Sequence, residues 1–169
     1  MMFFASEQYI ETYGAPKTME ELVKHRLVMQ VADEIAAKEM FDRLFPGYAQ
    51  SDLLVMKNNV SSAHYWAIAN GAGIGVLPTY GWALGGKIVP LEIPLRQPFD
   101  IWLSYHAGSG RIPRVRHMID WLVEAFNPVR FPWFKDEFVH PSEFDAVYKG
   151  ESPARLFGGF STDGRQKAE

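Results

Sequence analysis

Between Arg26 and Pro78 the chain alternates short apolar runs with helical periodicity, and that alternation restricts the fold more than any other feature. Arg26 to Val31 reads as a buried strand. Asp33 caps the helix that follows, where Ile35, Ala37, Met40, Phe41, Leu44 and Phe45 keep helical spacing until Pro46-Gly47 stops it. Asp52 to Met56 reads as a second buried strand. Ser61 or Ser62 caps a helix through Ala69, which Asn70-Gly71 ends, and Gly73 to Leu77 is a third strand closed by Pro78. Strands and helices in such short alternation imply βαβ crossovers and a largely parallel sheet. The fold class is α/β.

The flanks extend this plan. Met1 to Ala5 is a short apolar strand, and Ser6 caps a helix through Tyr13 that Gly14 and Pro16 terminate. Thr18-Met19-Glu20-Glu21 has capping-box spacing and starts a brief helix to about His25. Lys87 to Ile93 is extended, and Ile101 to Tyr105 is a further strand. Pro113 opens an amphipathic helix with Ile112, Val115, Met118, Ile119, Leu122 and Phe126 on one face. Residues 127–149 form an aromatic, proline-broken, irregular extension, and residues 150–169 a disordered tail rich in glycine, serine and charge.

Composition removes several classes of function. The net charge is -3, so no basic field exists to hold a nucleic-acid backbone, and Arg111, Arg114 and Arg116 read as the solvated face of one helix. Cysteine is absent, which excludes disulfides, thiolate metal sites and a cysteine nucleophile. The N-terminus lacks the basic region of a signal peptide, and no apolar run approaches the ~20 residues needed to span a bilayer. The expected location is the cytoplasm, with no membrane partner.

No catalytic set can be assembled. Gly71-Ala72-Gly73-Ile74-Gly75 follows a helix and enters a strand, the reverse of a dinucleotide fingerprint, so it reads as a tight turn. His117 and Asp120 lie one helical turn apart with no further ligand nearby in sequence, and read as a solvated face. His64 either points into a cleft or caps a buried turn; His106 reads as a loop residue and Ser109 as a turn. Glu20-Glu21 and Asp136-Glu137 are adjacent in sequence and do not face each other across a site. The chain reads as a non-enzyme without cofactor or metal.

One arrangement does suggest binding. Two strands run into polar segments that start helices: Gln30-Val31-Ala32-Asp33, and Asn58-Asn59-Val60-Ser61-Ser62. In open α/β sheets ligands collect at the C-terminal strand ends, where helix N-termini present unpaired N–H groups. Neutral asparagine and serine suit a carboxylate or another small polar ligand. The plainer reading is that these residues only cap their helices, and one residue can do both.

Three stretches together resemble the LysR-type transcriptional regulators. They are Phe3-Phe4-Ala5-Ser6-Glu7-Gln8-Tyr9-Ile10 with Gly14-Ala15-Pro16-Lys17-Thr18 and Glu21-Leu22 to His25-Arg26; Ala69 to Pro78; and Gly86 to Leu91 with Ile101 to Tyr105 and the Val115 to Phe126 helix. The resemblance covers residues 1 to about 126. It implies a fold like the type 2 periplasmic binding proteins, with one complete lobe over 7–97. Met1 to Ser6 and Pro98 to Tyr105 would be crossovers, and residues 98–126 the returning strand and helix of a truncated second lobe. It further implies an effector site lined by Gln30, Val31, Ala32, Asp33, Asn58, Asn59, Val60, Ser61 and Thr79. The effector would be a small molecule, with a carboxylate or aromatic compound as the family-level expectation. The chain would form homo-oligomers, and DNA would be reached through a winged helix-turn-helix that this chain lacks. The helix from Pro113 should expose an apolar face and promote self-association. A solute-binding protein, a small α/β enzyme and a truncated product without independent activity stand as the alternatives.

Overall fold

A computed structural model describes residues 1–85 and 87–150. Two compact units divide them, Met1–Gln97 and Pro98–Gly150. The sequence expectation for the tail falls, apart from Gly150, outside the described residues.

The first unit begins with β1 (Met2–Ser6), all of whose residues are buried. Ser6 caps α1 (Glu7–Tyr13) by accepting from Tyr9 N–H at 3.0 Å, and Gly14 ends it at φ 81°. Thr18 caps α2 (Met19–Leu22) through Glu21 N–H. The reciprocal bond to the Glu21 carboxylate comes from Lys17 N–H, one residue earlier than a standard capping box. Next come β2 (Leu27–Gln30), α3 (Glu34–Leu44) with Asp33 as its cap, α4 (Gln50–Leu53) and β3 (Leu54–Asn58). The unit continues with α5 (Ser61–Ala69), β4 (Gly75–Leu77), α6 (Tyr80–Ala83) and β5 (Ile88–Pro90).

The strands make two ladders. β2 and β3 run parallel, with Gln30 opposite Asn58, while β1 lies between β4 and β5 and is antiparallel to both. A parallel bridge from Leu27 to Ile74 joins the ladders, supported by Val28 N–H to Ile74 C=O at 2.8 Å. The sheet is therefore mixed, not largely parallel as the alternation suggested. The βαβ segment does run parallel; β1 precedes it in the chain and enters the sheet in the opposite sense, which periodicity does not encode.

Side chains alternate across the strands and build a core on each sheet face. Phe3, Ala5, Leu27 and Met29 join Tyr9, Leu22, Ala37, Phe41 and Phe45 on one face. Met2, Phe4 and Val28 join Tyr65, Ile68, Leu77 and Ile88 on the other. Each such large side chain contributes about 1.5–3 kcal/mol by leaving water.

Several expectations fail here. Ile35 is 73% exposed, because the buried stripe of α3 runs through Ala37, Phe41 and Phe45. The strand placed at Asp52 to Met56 begins two residues later, after the helical turn α4, and it is not buried: Val55 is 53% exposed. Among the described residues β3 pairs with β2 alone and is an edge strand, which an apolar run does not reveal. Neither Ser61 nor Ser62 caps α5; the cap position is Val60.

In the second unit, Ile101 to Tyr105 forms no β-ladder, contrary to expectation, and Trp102 is 83% exposed. A strand exists only through its neighbours, and the described part of this unit holds no strand to pair with. A 3₁₀ turn at Ser109–Arg111 leads into α7 (Pro113–Ala125), with proline at its first position. Ile119 is buried, whereas Met118, Trp121, Val123 and Phe126 are exposed. Two further 3₁₀ turns, Pro132–Phe134 and Pro141–Glu143, and α8 (Phe144–Val147) carry an aromatic cluster. Phe134 meets Phe126 at 5.0 Å, and Trp133 packs against Phe144 and Tyr148 at 5.4 and 4.9 Å.

Candidate ligand site at the strand ends

Parallel pairing of β2 with β3, and the bridge to β4, set the C-terminal ends of these strands on one edge of the first unit. Gln30 and Asn58 close their strands side by side. Val31 N–H donates to Asn58 C=O at 2.7 Å and extends the ladder one residue further. Gln30 Nε2 donates to Ser61 Oγ at 2.8 Å, drawing the first turn of α5 to the end of β2. Gln30, Val31, Asn58 and Ser61 thus come together.

The other expected residues divide. Asp33 caps α3, its Oδ1 accepting from Ala36 N–H at 2.8 Å, so its carboxylate is engaged. Ala32 and Asn59 are exposed on the connecting loops. Thr79 follows β4 at the same edge, where its C=O accepts from Trp82 N–H at 3.2 Å and its side chain caps nothing.

Two features of this edge were not legible beforehand. First, α5 has no side-chain cap, and Val60 is among the least suitable residues for that position. The N–H groups of Ser61, Ser62 and Ala63 have no intrahelical acceptor, and the helix dipole makes this end electropositive. Second, the Asn58 amide is orphaned: its Nδ2 and Oδ1 are both buried without a hydrogen-bond partner. Buried amides left in this way are uncommon and carry a penalty of about 1–3 kcal/mol. The apolar residue after Asn58-Asn59 was the available signal for the open helix end.

His64 is buried between α5 and β4. Its Nε2 bonds Val76 C=O at 3.0 Å, and burial holds its pKa below the usual histidine range, with the Val76 bond opposing. Of the two readings left open by the sequence, the structure supports the packed one. The glycines of 71–75 form a turn: Gly71 has φ 77°, and a Cβ on Gly73 would lie 2.5 Å from Arg26 O. His106 Nδ1 accepts from Gly108 N–H within its loop. Asp120 pairs with Arg116 at 2.9 Å, and no group of potential metal ligands occurs among the described residues. No helix among them is long and apolar enough to cross a membrane.

An α/β sheet clothed on both faces, with neutral donors and an open helix end at the C-terminal strand edge, is the architecture of a ligand-binding lobe of the type 2 periplasmic-binding-protein kind. The family model for the LysR substrate binding domain matches residues 1–127, and the chain belongs to that family. Neither a curated protein nor a solved structure gives a significant match. Domains of this family are regulatory modules that bind small-molecule effectors.

Proposed function

We propose that the chain is the effector-sensing module of a LysR-type transcriptional regulator. Promoter contact is assigned to a winged helix-turn-helix outside residues 1–169. Effector binding shifts the balance between arrangements of the regulator, and so changes transcription. The module is cytoplasmic, works as a homo-oligomer and carries out no catalysis. In this reading residues 7–97 are a complete lobe, 98–126 belong to a second lobe, and 127–149 are an extension beyond the family pattern.

The effector is a small carboxylate held at the strand ends. The observation that carries this is the uncapped N-terminus of α5 beside the orphaned Asn58 amide. A carboxylate there receives N–H groups from Ser61 to Ala63, and Asn58, Gln30 and Thr79 supply neutral donors and acceptors around it. The test is a thermal-shift screen of small aliphatic and aromatic carboxylates against the full chain. Compounds that raise its melting temperature should lose their effect in Asn58→Ala/Ser61→Ala. Stabilisation unchanged in that variant would move the site elsewhere.

A further inference from the structure

We propose that this lobe selects effectors with a single carboxylate, and that Asp33 rejects ligands carrying a second one; this rests on the strand-end site proposed above. Two helices start at the same sheet edge, and their N-termini differ. In α3 the positive end is already met by acid, because the Asp33 carboxylate accepts from Ala36 N–H at 2.8 Å and Glu34 follows in the first turn. In α5 the first turn is neutral and uncapped. The buried, partnerless Asn58 amide beside it is a second sign that a polar ligand belongs there.

One anionic group is accommodated at this edge, and a second is not. The cation of β3, Lys57, is held by Glu34 at 2.9 Å and by Gln50 at 3.3 Å, so the Lys57 and Glu34 charges offset each other and neither acts on a ligand. Asp33 stands three residues beyond Gln30, whose amide bonds Ser61 at 2.8 Å. That stretch of chain spans at most about 10 Å. Asp33 therefore lies within about one Debye length of Gln30, and a second ligand carboxylate directed toward the start of α3 meets repulsion that is only partly screened.

Terephthalate and its monoamide, 4-carbamoylbenzoate, have nearly the same shape and differ by one charge. Calorimetric titration of both into the full chain at neutral pH tests the proposal. The monoamide should bind roughly fivefold more tightly, the scale expected of repulsion by nearby surface carboxylates. Asp33→Asn, which preserves the helix cap, should bring that ratio close to one. Equal affinities for the wild-type chain, or a ratio untouched by Asp33→Asn, overturn charge selection and leave the site standing. Failure of both compounds to bind overturns the site and this inference with it.

Discussion

Gln30 Nε2 donates to Ser61 Oγ at 2.8 Å, although 31 residues separate them in the chain. The bond fixes the start of α5 against the end of β2, next to an Asn58 amide that has no partner. Replacing Asn58 by alanine removes a buried group that gains nothing from folding. Asn58→Ala with Ser61→Ala should therefore change stability by no more than about 1 kcal/mol. In the regulator proposed above the same pair should abolish the effector response. A reporter assay reads the response and denaturant unfolding reads the stability; a normal response would remove these residues from the site.

The Tyr9 hydroxyl joins α1 to the approach of β2. It accepts from Arg26 N–H at 3.0 Å and lies 3.2 Å from His25 Nδ1, with the ring almost fully buried. Tyr9→Phe keeps the ring and orphans the Arg26 N–H. The expected cost is about 1–2 kcal/mol, seen as a lower urea midpoint at unchanged m-value.

Gly73 sits where β4 approaches β2. A methyl group there would lie 2.5 Å from the Arg26 carbonyl oxygen, which already accepts from Ile74 N–H at 2.8 Å. Backbone on one side leaves no flexible atom to yield, so Gly73→Ala should destabilise by about 2 kcal/mol or more. Gly81→Ala, whose Cβ meets nothing closer than 3.8 Å, is the matched control and should cost less.

Acid should weaken the fold through two histidines. Burial lowers the pKa of His64, opposed by its Val76 bond, and burial lowers that of His25, opposed by Glu21. Below the ordinary histidine value of 6.5 the unfolded chain binds protons that the folded chain resists. Stability is thus fully present above that pH and falls as the pH drops toward the lowered folded values. Thermal melts between pH 7.5 and 5 should show the decline, and His64→Gln should flatten it.

Exposed Ile101, Trp102 and Leu103 in the second unit present apolar surface that favours self-association. Ile101→Thr/Trp102→Lys/Leu103→Thr should reduce the concentration dependence of the sedimentation coefficient. Because these side chains are exposed, the melting temperature should change little.

Local chemistry made much of this fold legible, while neighbourhood did not. Ser6, Thr18 and Asp33 announced three helix starts because each carries its oxygen to the N–H three residues on. Gly71 announced the turn into β4 because its φ is positive. The run Asp52 to Met56 reads alike for a central and an edge strand; among the described residues β3 has one partner strand, and Val55 and Met56 are exposed. Ile101 to Tyr105 has strand composition, yet a ladder needs a second strand that composition does not supply. At the site, the strand-end residues were visible as polar breaks. The Gln30–Ser61 bond and the open end of α5 depend on register and on Val60 taking the cap position, and both became visible only in three dimensions.

The most direct test of the central claim is amide chemical-shift mapping of the full chain during titration with benzoate. Carboxylate capture at the strand ends should move the N–H signals of Ser61, Ser62 and Ala63 and the side-chain amide of Asn58, with little change along α1 and α2. Saturable binding that leaves those four signals in place, or perturbs residues away from this edge, would contradict it.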